Sequence, residues 1–207
     1  RRRHTRSPLG SRGLGDVYKR QGQTDAWDTT VADGSVWMMD MGRPPHWTAP
    51  GTASQRAFRV SIADPGQADV VDVIGSAGAF SPGPPLYDAV RRVLVHYDSV
   101  AGRVVAQRFH GPGELEVLWD HRLRNFVQMM CWADTGELVV EDSQTPGFDM
   151  DGPSGDLVVL DIETGDERGR APLGMPATFG MFCCPGFDRD VYVAGIPGGV
   201  ARVSVSR

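Results

Sequence analysis

Nine residues of this 207-residue chain have the types and spacing to hold a ligand or a metal. In DHRLRN, Asp120, His121, Arg122 and Arg124 crowd one short segment. Two guanidiniums so close suit a bidentate carboxylate clamp, although a solvated loop accounts for them equally well. His46 and Trp47 lie between prolines and add an aromatic and a hydrogen-bonding group. DMDGPSGD holds Asp149, Asp151 and Asp156, and calcium takes several carboxylate and carbonyl oxygens around a loop that glycine lets turn sharply. That segment is no EF-hand, because the third acidic position and the closing glutamate are missing; an Asx-turn loop explains the same residues. His96 and His110 have no metal-binding spacing, and no G-x-S-x-G elbow or phosphate-binding loop occurs. Cys131, Cys183 and Cys184 form no spaced framework and read as small buried thiols. Met38, Met39, Met41, Met129 and Met130 read as core filler.

The elements that must position these residues are strands. VADGSVWMMD, YDAVRRVLVHYD, WADTGELVVED and GFDRDVYVAG each join a turn signal to an apolar β-favouring run. The runs start at Val36, Val93, Leu138 and Val191, in steps of 57, 45 and 53 residues. Radially repeated sheets of four strands recur at about that period, so the expected fold is an all-β, incomplete β-propeller of about three to four blades. Further hairpins begin at Asp64, Asp98 and Asp161, where aspartate accepts local backbone hydrogen bonds and a following glycine takes the positive φ. Runs apolar on both faces, such as Val93 to Val95 and Leu157 to Leu160, are expected inside a blade. In GELEVLWD, Leu115, Val117 and Trp119 are expected on one face of an outer strand and Glu114 and Glu116 on the other. Lettering strands A to D outward, the count is a partial blade, two whole blades and a last blade without an outer strand. The two longest connections, Gly42 to Arg56 and Ser143 to Gly155, are both B to C. They should open on the same rim as the D-to-A connection DHRLRN, which makes that rim the expected binding face.

Residues 1–21 resemble the translation of sequencing-adapter DNA and are read as a disordered, non-native tail before a propeller fragment over 22–207. Without that tail the chain has 14 basic against 25 acidic residues, a net of −11. Such acidity argues against a nucleic-acid partner. No apolar run approaches the roughly 20 residues of a membrane helix, so a soluble protein is expected, with its natural N-terminus missing and its compartment unreadable. An uncovered inter-blade face should pair with the missing blades of the same chain.

GDLVVLDIETGDERGRAPLG, and VYVAG followed by GGVARVSV, resemble the YVTN and quinoprotein-like (PQQ-like) propeller repeats of bacteria. That resemblance spans about residues 30–207 and implies the fold. Such families include pyrroloquinoline quinone dehydrogenases, lactonases and non-catalytic scaffolds. The dehydrogenases' tryptophan-bearing repeat signature, disulfide and metal-ligand set are not found, and Trp37, Trp119 and Trp132 share no register position. The function expected is a scaffold binding a small polar ligand or protein partner on one rim. The alternative is a lactonase-type hydrolase whose channel-mouth carboxylates hold a divalent cation.

Overall fold

The structure, a computed structural model, describes residues 29–39, 55–76, 83–125, 129–143, 154–176, 182–185, 189–194 and 199–204. Every ordered element among them is a strand. The first sheet holds β1 (Thr29–Ala32), β2 (Ser35–Met39), β3 (Arg56–Ser61) and β4 (Ala68–Asp72). The second holds β5 (Leu86–Asp88), β6 (Val93–Asp98), β7 (Arg103–Gly111) and β8 (Glu114–His121). β9 (Met130–Trp132), β10 (Glu137–Asp142), β11 (Ser154–Asp161) and β12 (Glu167–Pro176) form the third. The fourth has three strands, β13 (Phe182–Pro185), β14 (Asp190–Ala194) and β15 (Val200–Ser204). Within each sheet the strands pair antiparallel in chain order. First strands of successive sheets touch, β1 to β5, β5 to β9 and β9 to β13, so they lie innermost. This is an incomplete β-propeller, and its four sheets do not close a ring.

All four echoed runs form second strands, and the Asp turns behave as their residues dictate. Asp161 Oδ1 accepts the Glu163 and Thr164 amides at 2.9 and 3.0 Å, and Gly165 follows at φ +77°. That glycine also leaves room for the neighbouring blade, since a Cβ there would sit 2.6 Å from His121 Nε2 and 2.8 Å from Trp119 Cγ. Apolar side chains fill the seams between sheets. Between the first and second, Trp37 stacks on Tyr87 at 4.5 Å and meets Phe109 edge-on at 5.3 Å. The next seam joins Val93, Val95, Val104 and Trp119 to Leu138, Val140, Val158 and Ile162. Fully burying one such side chain stabilises by about 1.5–3 kcal/mol.

Three expectations need correction. First, the opening sheet is whole rather than partial: β1 is four residues of TTVA, too short and too exposed to give an apolar run. Its hairpin turns on Asp33 and Gly34, both at positive φ, as a tight right-twisted turn requires. Second, Leu94 rather than Val93 is the equivalent of Val36 and Leu138. Leu94 packs toward the first sheet and Val93 toward the third, because a one-residue slip in a strand reverses the face. Third, Leu115, Val117 and Trp119 do not share a face. A β-bulge pairs Trp119 with Ala106 but Val117 with Gln107, leaving Leu118 as the extra residue. Leu115 therefore packs into the first seam, Trp119 into the second, and Val117 stays 43% exposed. On the face of the first sheet turned away from the second, Met38, Phe58 and Val60 are buried.

Candidate functional site

Two hydrogen-bonded links tie B-to-C to D-to-A connections at one rim. The Ser143 amide, at the start of one B-to-C connection, donates to Arg124 O in the D-to-A connection at 2.9 Å. Ser76, which follows β4, donates through its amide and hydroxyl to Asp98 Oδ2 at the end of β6, at 2.8 and 2.9 Å. His46, Trp47, Asp149 and Asp151 lie outside the described residues.

Of the DHRLRN residues, the structure brings two together. Asp120 and Arg122 line a cavity of about 190 Å³ with Ala101 and Arg103. It lies where the tight turn after β6 meets the end of β8. Arg103 is fixed there, its Nη1 donating to Asp120 Oδ2 at 2.5 Å and its Nε to Asp98 Oδ2 at 3.3 Å. Arg122 is exposed and has no ion-pair partner among the described residues. His121 turns elsewhere: it stacks on Trp119 at 5.1 Å, and its Nε2 lies 2.8 Å from Gly165 O in the next sheet. Arg124 also stands apart, its charge opposing the burial that pushes the Tyr97 phenol up to about 12.

Asp156, the described member of the calcium triad, shares the Arg170 guanidinium with Asp142, at 3.2 and 2.7 Å. Burial works against the charge of Asp98, yet hydrogen bonds from Ala101, Ser76 and Arg103 hold its carboxyl below the ordinary carboxylate value. Cys131 is a free thiol that burial, reinforced by Asp88, pushes up to about 12, so it stays protonated and unreactive. Cys183 and Cys184 lie on β13, where only the backbone is described. Among the described inner-strand residues Asp88 is the carboxylate, and it caps its own turn, accepting from the Val90 amide at 2.8 Å and from Arg91 Nη1 at 2.9 Å.

Sequence reading missed Arg103, Gln55 and Gln107, and set His96 aside for want of metal-binding spacing. One signal was available. Counting four residues on from Val36, Leu94 and Leu138 reaches Asp40, Asp98 and Asp142. In two sheets that aspartate joins a cross-strand set, Asp98 with Arg103 and Asp120, and Asp142 with Asp156 and Arg170. In the first sheet Arg56 and Asp72 are register partners at the corresponding level. The buried glutamines and histidine gave no such signal, because their partners come from a neighbouring strand or from another sheet.

Neither a family model nor a curated protein sequence matches the chain. Solved structures do match in fold. The Swd1 β-propeller domain of Myceliophteria thermophila superposes with a TM-score of 0.57 at 8% identity, over 87% of this chain and 54% of its own. BamB from Moraxella catarrhalis gives 0.51 at 13% identity, over 86% and 45% respectively. Regucalcin from Agrobacterium tumefaciens, a calcium-binding protein, gives 0.50 at 16% identity, over 78% and 49%. All three support the propeller fold, and this chain spans about half the length of each.

Proposed function

We propose that the chain is part of a propeller scaffold, of the YVTN or quinoprotein-like kind, that binds a small carboxylate-bearing ligand on its rim. The observation behind this reading is Arg122, a guanidinium without an ion-pair partner among the described residues, beside the anchored Arg103 and Asp120. Arg122 supplies donors for a carboxylate, while the second oxygen of Asp120 suits a hydroxyl or ammonium on the same molecule. A cavity of about 190 Å³ fits a molecule of that size. These residues hold and orient the ligand, with Asp120 already engaged by Arg103 through one oxygen. The remaining blades of the same chain are the proposed partners of the outer sheets.

Titration calorimetry with malate, lactate and serine tests the reading. Saturable heat from at least one, lost in Arg122→Ala, is expected. No heat from any of them, or unchanged heat in the variant, overturns it.

Calcium at Asp149, Asp151 and Asp156 stays a separate proposal. It requires the ion to displace Arg170 from Asp156, and a calcium titration with neither heat nor a rise in Tm removes it. The lactonase-type alternative needs carboxylates free to hold a cation at the axis. Asp88 is engaged by its own turn and by Arg91, so the described residues favour the scaffold.

A further inference from the structure

At the rim end of the first seam, a chain of hydrogen bonds fixes the position of one proton. The Ile74 amide donates to Gln107 Oε1 at 3.0 Å, so the opposite end of that side chain is its NH2 group. This NH2 lies 3.1 Å from His96 Nε2, and because it can only donate, Nε2 must accept. A neutral imidazole that accepts at Nε2 carries its hydrogen on Nδ1. His96 and Gln107 have no solvent exposure, so no water can stand in for either partner from the surface. The first sheet closes over them with Gln55, whose Nε2 donates to Tyr97 O at 3.1 Å. Gly75 makes that approach feasible, since a Cβ there would lie 2.3 Å from Gln55 Oε1.

We propose that this seam is an acid-sensitive lock, in which a proton arriving on His96 Nε2 turns an acceptor into a donor, sets it against the Gln107 NH2 and parts the first sheet from the second. Rotating the Gln107 amide would restore a partner for His96 only by removing the one for Ile74. Each rearrangement therefore leaves a buried polar group without its bond. The charged groups acting on the imidazole are Asp98 on its own strand and Arg103 on β7. The contacts from the first sheet are Gln55 and the Ile74 main chain, neither ionisable. Asp98 also accepts from Ser76 of the first sheet and from Arg103, so parting the seam removes one of the donors to the carboxylate that orients Arg103. The lock rests on the hydrogen-bond chain and stands whether or not the cavity takes a carboxylate.

Burial brings His96 from 6.5 down to about 4, against the pull of Asp98. Its folded value is the lower one, so the opened state binds the proton more readily between those limits. The closed seam is favoured in full above pH 6.5, weakens as pH falls toward 4, and changes no further below that. The full span is an opening constant raised about 300-fold, of which roughly 50-fold is reached on going from pH 7 to 4.5.

Amide hydrogen exchange on the full chain, corrected for intrinsic rates, tests this at pH 7 and 4.5. Protection of Ile74 and Ser76 should fall roughly 50-fold while Val158, in the second seam, keeps its protection. In His96→Gln the side-chain oxygen offers an acceptor that does not titrate, and the pH response should vanish. An equal response in that variant, or a uniform loss across both seams, overturns the lock. Nitrogen NMR of the wild-type imidazole at neutral pH decides independently of whether the variant folds: a proton on Nδ1 is expected, and one on Nε2 overturns the proposal.

Discussion

The two best-described seams solve one packing problem with different chemistry. Between the second and third sheets the interface is a mostly aliphatic core that also buries Tyr97 and Trp119, with Trp119 Nε1 donating to Ile162 O at 3.0 Å across it. Arginines bind it at one edge, where Arg91 donates to Ala133 O at 2.9 Å and Arg108 pairs with Glu163 at 2.8 Å. The first seam is aromatic through Trp37, Tyr87 and Phe109, and then polar at the rim through Gln55, His96 and Gln107. Apolar contacts add up nearly independently of pH, whereas a buried polar network in which His96 Nδ1 and Gln55 Oε1 already lack partners among the described residues tolerates the loss of a further bond poorly. A seam that must stay shut suits the first chemistry, and one that responds to conditions suits the second.

The sharpest blow to the apolar seam is Leu138→Ala, which should cost about 2–5 kcal/mol in urea denaturation, equally at pH 7 and 4.5. A loss that varies with pH would erase the distinction between the seams. Acid should cost the polar seam about 3 kcal/mol in the wild type, developed between pH 6.5 and 4 as the difference between the two His96 values requires. Stability that is flat across that window would mean His96 is not the titrating group. Gly75→Ala forces a methyl onto Gln55 and should cost about 1–3 kcal/mol, with the loss read at the Ile74 amide by hydrogen exchange. Arg170→Gln removes a half-exposed ion-pair set and should change stability by under about 1 kcal/mol, less in high salt. Arg122→Ala should leave stability within about 0.5 kcal/mol while abolishing carboxylate binding. A large destabilisation there would move Arg122 from the proposed binding site into the fold.

Much of the architecture could be read from local grammar. Asp161 and Gly165 punctuate a hairpin because each acts on its own backbone, and Val139 with Val140 marks an inner strand because both faces need cover. The errors have equally local causes. β1 was missed because four exposed residues have too little apolar character, and β8 was misread because the bulge at Leu118 resets an alternation that letters alone continue. Of the residues singled out by their types, Asp120 and Arg122 line one cavity. His121 was drawn away by Trp119 and Gly165, contacts that come from the bulge and from a turn 44 residues on.

By itself the sequence determined the period, the turns and the antiparallel sheets, because strand alternation and turn chemistry act over a few residues. The tertiary structure alone decided which faces meet. It set Arg103 between Asp98 and Asp120, gave His96 its acceptor role, and left Arg122 to the solvent. Those outcomes depend on groups from different strands and sheets meeting in one place. A linear pattern specifies each group but not its neighbour across a seam.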